Sequence, residues 1–129
     1  MSIAKYAYTA LDCTDPIALA NFYSKITGWS VESLKNTAPE EVTWLELLDE
    51  NGRTCMGFQK IENYIRPTWP EGDTPQQLHL DFHVTDMEKA RVELLAIGAV
   101  QADFQSAENF QVFIDPEGHP FCLVLKDVL

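Results

Sequence analysis

The chain contains no apolar run long enough to cross a membrane, so no spanning helix is expected. Its first ten residues carry one Lys and two Tyr and no extended apolar stretch, which argues against a signal peptide and for a cytoplasmic protein. Basic residues are scarce, nine Lys and Arg against twenty Asp and Glu, giving a formal charge of −11. Such a surface repels phosphate backbones and disfavours nucleic acid as a partner. Only three cysteines occur, Cys13, Cys55 and Cys122, with neither C-x-x-C spacing nor a disulfide framework. Buried reduced thiols are the default for such residues, and they fit a reducing compartment. Also missing are the G-x-S-x-G elbow, a phosphate-binding glycine loop and a dinucleotide fingerprint.

What is present is a repeat. The segment from Phe113 to Leu125, F-I-D-P-E-G-H-P-F-C-L-V-L, reads as strand, tight turn, strand. In Asp115-Pro116-Glu117-Gly118, Pro presets φ at the second position and Gly relieves a position needing positive φ. The earlier run from Leu47 to Phe58 repeats this layout, with Asp49 matching Asp115 and Gly52 matching Gly118 at an offset of 66. Upstream, Leu11-Asp12-Cys13-Thr14-Asp15 matches Phe82-His83-Val84-Thr85-Asp86 at an offset of 71. Repetition on this scale fixes architecture before anything else does. It predicts an α+β chain of two βαβββ modules in one domain spanning 1–129, the repeats covering about 1–61 and 77–129.

The elements follow from local signals. In the first module, strands are expected over Ile3–Cys13, Trp29–Leu34, Thr43–Leu48 and Thr54–Ile61. A helix capped by Thr14 or Asp15 has Pro16 at its first position and Gly28 at its end. In the second, strands are expected over Gln77–Val84, Val100–Phe104, Phe110–Ile114 and Pro120–Leu125. Its helix is capped by Thr85 or Asp86, with Met87, Ala90, Leu94, Leu95 and Ile97 as its apolar stripe. Residues 62–76 form a Pro-rich linker whose Tyr64, Ile65 and Trp69 are too apolar for a purely solvated connection.

The opening L-D-C-T-D-P…F-Y…T-G-W, the middle L-H-L-D-F-H-V-T-D and the close D-P-E-G-H-P-F-C-L together resemble the vicinal oxygen chelate superfamily. That group includes glyoxalase I, bleomycin-resistance proteins, methylmalonyl-CoA epimerase and extradiol dioxygenases. The resemblance covers essentially the whole chain and is nearest to small bacterial glyoxalase-like proteins with a linker similar to Arg66-Pro67-Thr68-Trp69-Pro70. It implies curved mixed sheets forming a half-barrel around a cleft, and a homodimer. In metal-dependent members it also implies a divalent ion on four ligands, one from the first and one from the last strand of each module. Carried onto this sequence, the first-strand positions are Tyr8 and His79. The last-strand positions, four residues after each turn glycine, are Met56 and Cys122. The metalloenzymes mostly hold His, Gln or Glu there, so Tyr, Met and Cys imply no metal and no cofactor.

Strand alternation supports a cleft role for His79 independently. Leu80, Phe82 and Val84 share one face, and His79, Asp81 and His83 the other. A free imidazole can ligate, hydrogen-bond or move a proton, or it can be a structural group bonded to Asp81. His83 is expected at the rim and His119 in solvent. Cys122 is expected as a buried inert thiol, or as a reactive one should His79 lower its pKa. Trp44, Phe58, Trp69, Phe113 and Tyr8 would supply an aromatic cleft wall, as pockets for organic molecules require.

The reading that follows is a glyoxalase-like protein holding a small, mostly apolar or aromatic ligand in a metal-free cleft, with a resistance or sequestration role. The ligand would stack on Trp44, Phe58 or Trp69 and bond to His79. The alternative is a metal-dependent lyase, isomerase or dioxygenase using His79. A module without a small ligand is a third reading.

Overall fold

The computed structural model describes residues 1–103, 105 and 109–129. It divides into two units, Met1–Tyr64 and Ile65–Leu129, so residues 65–76 of the Pro-rich linker belong with the second and 62–64 with the first. Unit 1 runs β1 (Thr9–Cys13), α1 (Pro16–Thr27), β2 (Ser30–Val31), a 3-10 turn (Pro39–Glu41), β3 (Trp44–Leu48) and β4 (Thr54–Lys60). Unit 2 runs β5 (Leu80–Val84), α2 (Met87–Ala96), β6 (Val100–Gln101), β7 (Phe110–Ile114) and β8 (Pro120–Leu125). Each is βαβββ, and each sheet is open and four-stranded, in the orders β1-β4-β3-β2 and β5-β8-β7-β6. The first strand pairs parallel with the last, while the remaining neighbours are antiparallel.

Helix α1 starts where its cap dictates. The Asp15 carboxylate accepts the Ala18 N–H at 3.1 Å, Pro16 takes the first turn, and Gly28 closes the end at φ +80°. Leu19, Ala20, Phe22 and Tyr23 are buried, and Tyr23 stacks on Phe58 of β4 with ring centroids 6.0 Å apart. Helix α2 is capped by Asp86 through the Lys89 N–H at 3.1 Å, but within the helix only Leu94 is buried. The stripe expected there is correspondingly weaker, because Leu95 remains exposed. The core of unit 2 lies instead on its strands, where Phe121 meets Phe82 edge-on and Phe113 in parallel.

Several strands are shorter than their sequence patterns. β1 begins at Thr9 rather than Ile3 because β4 supplies ladder partners only for Thr9–Cys13, and Ile3 and Tyr6 are exposed. β2 is two residues instead of six, and β5 begins at Leu80 instead of Gln77. β6 ends at Gln101, while Phe104, expected as its last residue, lies outside the described residues. Alternation alone does not create a strand; a partner with free N–H and C=O groups does.

Candidate functional site

In unit 2 the parallel ladder sets Asp81 directly opposite Cys122. His79 stands one residue before β5, on the same face as Asp81 by the two-residue period. His79 Nε2 lies 3.2 Å from Asp81 Oδ1, with both side chains about half exposed. The Cys122 sulfur completes a trio whose donor atoms all lie within 4.8 Å of one another. Burial, helped by the charge of Asp81 and a hydrogen bond to it, pushes the Cys122 thiol up to about 11. Cys122 is therefore a thiol that donates to the Asp81 carboxylate at neutral pH, and a nucleophilic thiolate is not favoured. The Asp81–His79 pair anticipated from sequence is present, but Asp81 also binds Cys122. Geometry thus makes the carboxylate the centre of this cluster.

Unit 1 treats the matching positions differently. Tyr8 stands one residue before β1, as His79 does before β5. The last strands, however, do not match by counting from the turn glycine. In unit 2 the β7–β8 ladder runs unbroken from Ile114↔Pro120 through Phe113↔Phe121 to Val112↔Cys122. In unit 1 it runs Leu48↔Thr54 and then Leu47↔Met56, so Cys55 is the extra residue of a β-bulge. The parallel ladders agree: Thr9 faces Met56 and Ala10 faces Gly57, whereas Leu80 faces Phe121 and Asp81 faces Cys122. Gly57, not Met56, is the counterpart of Cys122. Met56 falls on the face of Phe58 and is buried there, which corrects its expected place beside Tyr8.

The space above Gly57 is taken by aromatic rings. A Cβ at residue 57 would lie 2.5 Å from Trp44 Cη2, 2.6 Å from Trp44 Cζ2 and 3.2 Å from Tyr8 Cε2. The Tyr8 and Trp44 rings are 6.2 Å apart and tilted by 53°. Glu46 locks the indole, accepting Trp44 Nε1–H at Oε2 (2.8 Å) and the Thr54 hydroxyl at Oε1 (2.6 Å). Trp44 keeps 36% of its surface exposed.

The other aromatic expectations divide. Phe58 and Phe113 are fully buried against Tyr23 and Phe121 and belong to the core, because their strand positions place them on the packed faces. Trp69 is half-buried in the loop of unit 2. His83 is exposed. His119 is half-buried rather than solvated, because its N–H donates to Asp115 Oδ1 at 2.9 Å and its carbonyl accepts the Asp115 N–H. Arg66 fastens the same turn, with Nη1 donating to the Pro116 carbonyl at 2.8 Å.

Two βαβββ units, with polar or aromatic side chains where the first and last strands run side by side, define a glyoxalase-like protein. A family model described as a glyoxalase-like domain matches residues 8–124, and the chain belongs to that family. Among solved structures it is similar to a glyoxalase/bleomycin resistance protein/dioxygenase family enzyme from Burkholderia phytofirmans PsJN. That likeness has 22% identity and a TM-score of 0.63, covering 93% of this chain and 97% of the other. It is also similar to the fosfomycin resistance protein FosX from Mesorhizobium loti, at 13% identity and TM-score 0.61, with 99% and 96% of the chains covered. The oxidase ChaP-H2 aligns at 16% identity and TM-score 0.60 over 97% and 95%. At these identities the likeness shows the fold alone. No curated protein matches the chain.

The four-ligand divalent ion of the metal-dependent members does not fit these residues. It needs donors from both units. Unit 2 offers an imidazole, a carboxylate and a thiol, whereas the matching strand positions of unit 1 hold the Tyr8 phenol and a glycine covered by an indole, and the Glu46 carboxylate opposite that glycine is taken up by the Trp44 and Thr54 donors.

Proposed function

We propose that this glyoxalase-like protein holds a small, mostly apolar or aromatic molecule without a metal, in a resistance or sequestration role. The observation that carries the reading is the Trp44 indole lying over Gly57 beside Tyr8, where a metal-dependent relative would present a ligand. A fixed, part-exposed indole offers a large contact area at little conformational cost. Sequestration requires burial and shape complementarity rather than bond-making, so replacing a donor by an aromatic surface is compatible with it. The resistance role named for FosX is the analogy. A cytoplasmic setting accords with the free state of Cys13, Cys55 and Cys122.

The test is a thermal-shift screen over aromatic metabolites and antibiotics on the wild type and Trp44→Ala. A ligand at about a hundred times its Kd adds about 2.7 kcal/mol and should raise Tm by several degrees. The rise should vanish in Trp44→Ala. Ligands that stabilise both proteins equally would sink the reading.

One observation favours a second reading, an enzyme using His79: its close grouping with Asp81 and Cys122. Elemental analysis of protein purified without chelators separates the two. A stoichiometric ion lost in His79→Ala would favour the enzyme. We also propose a homodimer, since open sheets leave edge strands that must be paired or covered. Light scattering that gave a monomer's mass would contradict it.

A further inference from the structure

Residues 32–43, which join β2 to β3, wall a groove of about 390 Å³ in unit 1, lined in part by Glu32, Leu34, Lys35, Glu41, Val42 and Trp44. Glu32 is held in place, its Oε1 accepting the Glu46 N–H at 2.8 Å. Glu46, which is not part of the lining, holds Trp44 through its indole N–H. Glu32 and Glu46 are thus held by neutral donors, a backbone N–H for the first and the indole N–H and the Thr54 hydroxyl for the second. Among the described residues, Glu32, Glu41 and Glu46 form no ion pair. A carboxylate that accepts one hydrogen bond retains further lone pairs. Lys35 is one positive charge against the two carboxylates of the lining.

We propose that this groove binds a small organic cation, an amine or quaternary ammonium on an apolar body, against Trp44 with Glu32 and Glu41 as counter-charges. The inference rests on Trp44 being a ligand wall and adds a selection for charge. An anion meets two carboxylates and a chain of net charge −11. A small hard metal ion prefers oxygen ligands and gains nothing from an indole. An organic cation gains from both partners. The indole attracts its weakly hydrated charge, the carboxylates neutralise it, and Leu34 and Val42 accept the apolar body.

The experiment is amide and indole NMR on the full chain, with the Trp44 indole signal identified by its loss in Trp44→Phe. The probes are benzyltrimethylammonium, benzyl alcohol and phenylacetate. The cation should shift the Trp44 Nε1–H and the Glu32 and Thr43 amides saturably, with affinity about tenfold above that of the alcohol. Phenylacetate should shift none of them. Glu32→Gln keeps an oxygen acceptor for the Glu46 N–H, so the fold should hold. It and Glu41→Gln should each weaken the cation by about tenfold and leave the alcohol unchanged. Equal binding of cation and alcohol, or Gln variants that bind the cation as well as wild type does, would overturn the charge selection while leaving the Trp44 wall standing. Failure of both probes to move Trp44 would overturn the wall and this inference together.

Discussion

In unit 2 the last hairpin is regular and delivers Cys122 opposite Asp81, whereas in unit 1 the Cys55 bulge advances the strand by one residue and delivers Gly57 opposite Ala10. Around that point the units keep the same strand order and the same Asp-capped helices. One inserted residue flips which side chains face which way, so Met56 joins the core and the opposite face receives a glycine. The vacated space then suits a large ring, which Trp44 supplies and Glu46 holds. The exposed face of a sheet can thus be remade by register alone, with the strand order unaltered.

The turns differ in a second way. Asp49 Oδ1 accepts the N–H groups of Asn51 and Arg53, and Asp115 Oδ1 those of Glu117 and His119. The bonding is the same but the setting is not, since Asp115 is only 2% exposed and its turn is fastened by Arg66. Asp115→Ala should therefore have the largest effect, a loss of about 3 kcal/mol in urea unfolding, because buried amides are left without an acceptor. Asp49→Ala, where water can replace the carboxylate, should cost about 1 kcal/mol. Equal losses would erase this contrast.

Next in size is Gly57→Ala. Its methyl would displace the Trp44 ring and break the bond to Glu46, at a cost of about 1–2 kcal/mol. Tryptophan fluorescence should report a more exposed indole. An unchanged spectrum would mean that the ring does not depend on the glycine.

The smallest effect concerns Cys122. Its thiol is raised from 9.0 to about 11, first by burial and then by Asp81. A raised thiol favours the protonated folded form. Its contribution to stability is full below about pH 9 and declines as pH climbs from there toward 11. Asp81→Asn removes the lesser causes and leaves burial, so alkylation of Cys122 at pH 9, followed by mass spectrometry, should quicken only several-fold. No quickening would remove Asp81 from the account of this thiol.

The repeat was legible because its signals are local: the Asp-to-Gly turns, the Asp15 and Asp86 caps, and Gly28. The equivalence of Tyr8 and His79 was legible for the same reason, since nothing intervenes between them and their strands. The Met56 assignment failed because counting from Gly52 assumes a regular hairpin, and a bulge leaves no residue-type signature at Cys55. Aligning apolar faces instead, Met56 and Phe58 against Phe121 and Leu123, would have exposed the shift. Asp81 was seen only as a partner for His79, because the ladder register that sets it opposite Cys122 is a property of pairing. The Glu32–Glu46–Trp44 arrangement was hidden for a like reason, being assembled across two strands.

Unit 1 presents the Tyr8 and Trp44 rings at the strand positions where the metal-dependent relatives would present donors. Calorimetric titration of chelator-stripped protein with nickel and with zinc checks whether those rings have displaced a metal site. Neither ion should find a tight site, and the heat of mixing should not change on Tyr8→Phe. Binding of about one ion per chain at submicromolar affinity, weakened by both Tyr8→Phe and His79→Ala, would contradict this.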